Sequence, residues 1–483
     1  MATERSTVPS WVAVPAVACL LLWPAVWNGY PIVFADTGTY LSQAIHRYAG
    51  WDRPVFYSLF MLPLHATVTL WPVLIAQALL TAWVLWLVWR VLAPNQGLLR
   101  FVLLVAALSA CTWLPWIVSE IMPDILTPLL VLAMAPLIWA PEALSPRERR
   151  LLAALATVCI AAQQSSLALA LLLIPASLAV RSLLLSAGPA GAPVRRRLHI
   201  LPVFLPPALA ALMLCLANFA AHGRFAVSPF GNVFLLARVI ADGPGMATLQ
   251  RDCARAHWRL CPYLDRFPAT SDDFLWRADS PLYQAGGPKR VSAEAGAIIA
   301  ATLRSDPAGA ARAAIADTWM QAIRFDSGDG LQPWPSQVSH WIRDDFPAAE
   351  YARYRAARQQ SGQLRVPDWL AVLHRSTAIA GVIGCTGQLG VLLYLARRRA
   401  AARRQPNVPM ASGVLPPEPR TSATTGVLLT VLLSLPISAA VTGALSGPHD
   451  RYQSRIMWLP PFVALAALPS VRRAWRSGTP LPH

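Results

Sequence analysis

Five charged residues stand in surroundings where they could do chemistry: Asp36, Glu120, Asp124, Arg451 and Arg455. Asp36 lies in "FADTGTYL", a few residues beyond the first apolar segment, with Tyr40 one helical turn on and "DRPVFYSLF" following. A carboxylate near a membrane surface is costly to desolvate unless it is paired or used. Asp36 also suits a helix cap, and the two roles are compatible, since a cap can set its carboxylate in a cleft. An amphipathic interfacial helix is expected near 39–49, carrying Tyr40 and His46 beside Asp36. In "SEIMPDIL", Glu120 and Asp124 share a face if a helix runs through the turn. Pro123 instead favours a new helix with Asp124 in its first turn. In "PHDRYQSRIMWLP", Arg451 and Arg455 stand in a short outward turn, where arginine is disfavoured. A negative partner is therefore expected there, either Asp450, Asp36 or a phosphate. Together these groups suit a lipid-linked phosphate substrate. The carboxylate takes a proton from an acceptor hydroxyl or amine, and the arginines hold the departing phosphate.

The elements that must position these residues are apolar. Of 483 residues, 55% are hydrophobic and 13% charged, and mean hydropathy is +0.44. A soluble domain carries roughly a quarter charged residues. Segments long enough to cross a bilayer lie near 11–27, 66–92, 101–118, 124–140, 200–220, 370–395, 425–446 and 456–471. The stretch 151–185 is interrupted by "QQSS" at Gln163 to Ser166 and reads as one long helix or two short ones. The first span, broken by Pro15 and Pro24 and lacking a small-residue cleavage site, is read as a retained helix rather than a leader.

Basic clusters decide the parity. Arg90 and Arg100, then Arg147, Arg149 and Arg150, then Arg181 with Arg195 to Arg197, then Arg397 to Arg404, then Arg472 to Arg476 punctuate the chain. All reach the cytoplasm only if 151–185 crosses twice, giving about ten spans with both termini inside. The expected fold class is therefore an all-α polytopic membrane protein with one mostly helical extracytoplasmic loop domain. An N-terminal bundle 1–220 holds the outward loop 28–65, a periplasmic domain covers 221–369, and helices of 370–483 flank a cytoplasmic linker 396–424. The 221–369 region carries 17 basic and 15 acidic residues, so most of the net charge of +17 lies elsewhere. That placement makes the arginines topological anchors facing anionic lipid and removes nucleic acid as a partner. Lys289 is the sole lysine. Trp83, Trp86 and Trp89 read as an interfacial belt. Cys253 and Cys261 lie in the outward region and are disulfide candidates; His257 alone does not complete a zinc site. His46 and His65 read as satisfied polar residues rather than ligands. "SAEAGAIIAATLRSDPAGAARAAIADTWMQAI" predicts two helices broken at Asp306–Pro307.

The order of these features resembles the GT-C integral-membrane glycosyltransferases, such as the protein O-mannosyltransferases and aminoarabinose transferases. The resemblance rests on the Asp-then-Tyr first loop, the "RP" at Arg53 and Pro54, the "SE…P…L" turn, and the "RY" element before the last span. It covers roughly the first 180 residues and the last 60. It implies a helical bundle with an extracytoplasmic active site, acting in the bacterial inner membrane. The implied donor is a sugar on polyprenyl phosphate, surrounded by membrane lipids; the acceptor is not named. Asp36 matches the catalytic acid of the first loop and Glu120 the acidic position after the third span. Arg451 and Tyr452 match the element near the donor phosphate, and Arg53 helps shape the cavity. Tyr40, Asp124 and Arg455 complete the expected substrate-binding set. The sequence establishes no cofactor; the resemblance leaves a divalent metal open, although one acid stands where the family often has two.

Two other classes compete. An O-antigen polymerase or ligase would place its working arginines in the large loop, at Arg238, Arg259 or Arg324. A transporter, or a catalytically degenerate relative, would bind without turnover. Transporters commonly show paired repeats and polar residues at mid-membrane. No repeat is evident here, and interior polar residues are few: Gln77, Gln163, Gln164 and Asn218.

Overall fold

The computed structural model describes residues 10–186, 200–402 and 419–476. Arg195 to Arg197, Arg403, Arg404, most of the 396–424 linker and both chain ends lie outside the described residues. Every regular element among the described residues is helical. Six helices are long and apolar enough to cross a membrane: Trp71–Leu92, Gln164–Leu184, Ile200–His222, Asp368–Arg398, Thr421–Leu445 and Asp450–Arg476.

The remaining apolar segments are broken, each for a local reason. The first divides into Ser10–Leu20 and Trp23–Asn28, with Pro24 in the first turn of the second piece. Proline fits a first turn because its missing N–H would be unsatisfied there anyway. Gly29 then ends the helix at φ +82, its N–H reaching the Val26 carbonyl at 3.1 Å. Thr112 turns extended between Leu98–Cys111 and Leu114–Val118. The stretch 151–185 is two helices, Pro146–Ala162 and Gln164–Ser186, separated by Gln163 in an extended conformation. Ser145 opens the first of these with a capping box: its hydroxyl accepts from Glu148 N, and Glu148 Oε2 accepts from Ser145 N at 2.8 Å.

Burial separates rim helices from central ones. Only 28% of the apolar window is buried in Ile200–His222 and in Asp368–Arg398, against 67% in Thr421–Leu445 and 78% in Asp450–Arg476. The helix that begins with Arg451 and Arg455 is thus the most enclosed, which is why charges on its outer end are held inside the protein. The Thr421–Leu445 helix is packed as tightly: Gly426 lies flat against the Trp139 ring, and Trp139 Nε1 donates to Thr430 Oγ1 at 3.0 Å.

The 221–369 region has two parts. Phe230, Leu236, Phe274 and Ile298 belong to an apolar core of its own, stapled by a Cys253–Cys261 disulfide with Cα atoms 5.5 Å apart. Pro288–Ser305 and Pro307–Ile323 are separate helices, and Asp306 caps the second by accepting from Gly309 N at 2.7 Å. The later part packs on the membrane bundle instead: Val338, Ile342 and Tyr354 join the main core.

Candidate functional site

The first outward loop is positioned by backbone pairing across the sequence. Ile32 N donates to the Ser119 carbonyl at 3.0 Å, and Ile121 N to the Ile32 carbonyl at 2.8 Å. Ile32 and Glu120 so form an isolated parallel bridge, which ties the 28–38 segment to the turn before Asp124. Gln359 fixes the next residue from the far side, accepting from Val33 N at 3.0 Å and donating to Val33 O at 2.7 Å. Buried Glu350 holds the approach, its Oε1 accepting from Tyr30 Oη at 2.8 Å and Thr69 Oγ1 at 2.9 Å.

From this anchor the Ala35–Ile45 helix begins, earlier than the 39–49 expected. Phe34 is its N-cap residue, and Thr37 Oγ1 accepts from Phe34 N at 2.9 Å while donating to Ile121 O at 3.0 Å. Asp36 is therefore in the first turn, not the cap, and its carboxylate turns toward arginines. Arg53 Nη2 lies 2.8 Å from Asp36 Oδ2, Arg53 Nε donates to that oxygen at 3.0 Å, and Arg451 Nη2 stands 3.8 Å away. All three contacts use Oδ2; Oδ1 has no partner among the described residues. Tyr40 faces inward, 2% exposed, its ring edge-on to Tyr57 at 5.0 Å. His46 falls just past the helix and bonds Asp345 Oδ2 at 3.1 Å, so it stands away from Asp36.

The "SEIMPDIL" turn takes the second of its two readings. A helix ends at Val118 and a single turn, Pro123–Ile125, starts the next, so Glu120 and Asp124 do not share a continuous helical face. Asp124 is deeply buried and accepts from Arg455 Nη1 at 2.7 Å, with side-chain exposures of 3% and 2%. Arg451 lies in the same cluster, its guanidinium carbon 4.0 Å from the Phe34 ring centroid, close enough for cation–π attraction. Arg451 Nη1 is buried without a hydrogen-bond partner. Tyr452 lies against both guanidiniums at 5.3 and 5.4 Å, and its hydroxyl meets Ser446 Oγ at 3.0 Å. Asp450, the other expected partner, is taken by Arg324 at 3.0 Å.

These residues surround a cavity of about 280 Å³. Asp36, Tyr40, Arg53, Arg451 and Tyr452 line it. Glu120, Asp124 and Arg455 do not; Asp124 and Arg455 buttress the lining from behind, and Glu120 stands beside the Ile32 bridge. Sequence reasoning missed several contributors. Gln163, Gln164 and Ser165 line the cavity from the helix break, and Ser228, Gly231 and Phe234 from the loop domain. Asp329 accepts from Arg451 N at 3.1 Å. The polar "QQSS" interruption was a visible signal for the first group, and the acid-bearing "DSGDG" turn for Asp329.

The electrostatics follow from burial. Burial, then the charge of Asp124, pushes the Glu120 carboxyl well above the carboxylate range; Arg451 opposes, while Asp329 and Asp36 add. The shift favours the uncharged form of Glu120. Burial also keeps the Tyr40 phenol protonated. Burial alone would lower the Arg53 pKa, but Asp36 and Asp52 outweigh it and hold the group charged.

The charge pattern does not fit a divalent ion. Of the two carboxylates at the cavity wall, Asp36 and Asp52, Asp36 already faces two guanidiniums, and among the described residues no group of three or more His, Cys, Asp or Glu could hold a metal. Against known proteins, no family model matches the chain, and neither does any curated protein or solved structure.

Proposed function

We propose that the chain is a membrane transferase that moves a sugar from a polyprenyl-phosphate carrier to an acceptor at the periplasmic face of a bacterial inner membrane. The observation that carries this reading is the buried Arg451 guanidinium, aimed at the cavity with one N–H unpartnered, beside a carboxylate with one free oxygen. A buried unpaired N–H on a charged group is costly, and a phosphate oxygen is the ligand that relieves it best.

In the proposed step an acceptor O–H or N–H attacks the anomeric carbon. The bond from that carbon to the phosphate oxygen breaks, polyprenyl phosphate departs, and the acceptor proton passes to Asp36 Oδ1. Arg53 holds Asp36 Oδ2 in the resting state. A substrate phosphate would compete with that carboxylate for Arg53 and Arg451. Glu120, whose burial favours the uncharged form, is cast as a donor supporting the cluster rather than as a second base.

The outward placement of the cavity is supported by the disulfide in the loop domain, which suits an oxidising compartment. Counting 10–28, 98–118, Pro123–Trp139 and Pro146–Ala162 as further spans beside the six long helices would make the proposed ten, an even number that leaves both termini on one side, proposed to be the cytoplasm. Of the three arginines on which the polymerase-like alternative rests, Arg238 is engaged by Asp242 and Asp317, and Arg324 by Asp450, whereas the Arg259 side chain makes no ion pair among the described residues. The test is a melting measurement on the purified protein with polyprenyl monophosphate and with the uncharged polyprenol. Stabilisation by the phosphate alone, lost in Arg451→Gln, is expected. Equal shifts from both lipids, or a shift unchanged in Arg451→Gln, would remove the phosphate site.

A further inference from the structure

A second and larger cavity, about 960 Å³, lies on the other side of the first outward loop. The loop itself is the partition: Asp52, Arg53 and Pro54 line the small cavity, while Trp51 and Val55 line the large one. The end of the Ala35–Ile45 helix, the Phe56–His65 helix, the outer end of Ile200–His222 and the Gly286–Lys289 turn form its walls. His222 closes the junction, its Nε2 lying 3.2 Å from the Gly50 carbonyl oxygen.

Three observations define what this groove could hold. None of its lining residues is acidic, and it carries two exposed cations, Arg47 and Lys289. Neither makes an ion pair or a side-chain hydrogen bond among the described residues. Gln43, 1% exposed, also lines the groove, and both atoms of its amide lack a partner. A buried amide left without bonds costs on the order of 1–3 kcal/mol, so this one favours a ligand that brings a polar group to it. The rest of the wall is apolar and runs onto surface that faces the bilayer in the proposed topology: Val55, Leu59 and Leu62, with Leu59 50% exposed. Nearby on Ile200–His222, Leu216 and Phe219 are 52% and 57% exposed. Cations and an amide at one end and a lipid-facing apolar wall at the other match an amphiphile with an anionic head.

We propose that this groove binds an anionic membrane phospholipid, with its phosphate between Arg47 and Lys289, a head-group oxygen or hydroxyl on the Gln43 amide, and its first acyl carbons along Val55, Leu59 and Leu62. The site is separate from the Asp36 cavity and does not depend on the transferase reading. Because the two cavities share the Trp51–Val55 wall, a bound lipid would also brace the segment that carries Arg53.

Native mass spectrometry of the full-length protein in neutral detergent tests this, with phosphatidylglycerol and phosphatidylcholine titrated separately. The first phosphatidylglycerol adduct is expected to form at least tenfold more tightly. Arg47→Ala combined with Lys289→Ala should abolish that preference without lowering the melting temperature, since both side chains are exposed. Arg100→Ala combined with Arg147→Ala removes equal charge elsewhere and should keep it. Inorganic phosphate at millimolar concentration should not displace the adduct. Equal binding of both lipids, a preference that survives the first double variant or falls equally in the second, or displacement by phosphate alone would each overturn the proposal.

Discussion

On the surface of the loop region, several charges pair with neighbours in sequence: Arg251 and Arg255 share Asp252, Arg277 meets Asp279, and Arg343 meets Asp344. Around the Asp36 cavity, beside the nearer Arg53–Asp36 pair, two pairs reach across the chain, Arg455 with Asp124 at a separation of 331 residues and Arg451 with Asp36. The first kind needs no fold to form, sits mostly in water and contributes little. The second kind forms only when the first loop, the Pro123 turn and the last helix are together, and it must overcome desolvation to exist. The difference teaches where the molecule concentrates cost. Pairs that fold could do without are cheap and local, whereas the expensive ones surround a cavity.

The sharpest way to break this comparison is at the Arg455–Asp124 pair. Arg455→Met leaves a buried carboxylate unpaired and should destabilise the protein by roughly 3–5 kcal/mol. Thermal melting in detergent measures this, and adding Asp124→Leu should recover most of the loss. A single variant as stable as the parent would show that the pair holds nothing together.

A smaller effect is expected at His65, outside the cavity. Burial lowers its pKa from 6.5 to about 4, and its Nδ1 accepts from Thr67 N at 3.0 Å. Above pH 6.5 the ring is neutral in both states and nothing is lost. As pH falls toward 4, the unfolded chain takes up a proton that the folded chain refuses, so stability falls. Melting curves from pH 7 to 4 should show that decline, and His65→Asn should flatten it.

Glu120→Gln should matter less still, because burial and the charge of Asp124 favour the uncharged carboxyl that Gln mimics. Activity within about threefold of the parent is expected, since a full general acid–base role would cost about 10²-fold or more. The variant's stability advantage should grow as pH rises, because a raised carboxyl pKa means ionisation destabilises the folded state. The least effect belongs to the local pairs: Arg277→Ala should leave melting unchanged, and a clear loss there would erase the contrast between the two regions.

The fold was legible where hydrophobic runs are long and uninterrupted, as in Trp71–Leu92 and Thr421–Leu445. It was less legible where a proline or a polar residue divides a run. In the 11–27 pattern Pro24 marks the start of the second helix, whereas Pro15, expected to break the first, lies inside it. The cavity residues Asp36, Arg53, Arg451 and Tyr452 stood out because charge is scarce outside the loop domain, so each charge near a span demanded a reason. Phe34, Gln359 and Glu350 did not stand out. Their roles come from contacts between distant parts of the chain, 326 residues apart for Gln359 with Val33 and 320 for Glu350 with Tyr30, and no local pattern encodes such distance. The helix start at Ala35 was misjudged because Asp36 looks like a cap, while Thr37 meets the backbone N–H of Phe34 instead.

The central claim is that Asp36 Oδ1 accepts a proton from an acceptor while Arg451 holds a phosphate. The direct measurement is transfer of labelled sugar from a panel of polyprenyl-phosphate donors into membrane extract, by the parent and by Asp36→Asn. The account predicts transfer by the parent and a loss of about 10²–10⁴-fold in the variant, with melting temperature and polyprenyl-phosphate binding retained. Undiminished transfer by Asp36→Asn would contradict the role of Asp36. Binding of polyprenyl phosphate without transfer by the parent from any donor would contradict the transferase itself and leave a protein that holds the lipid without turning it over.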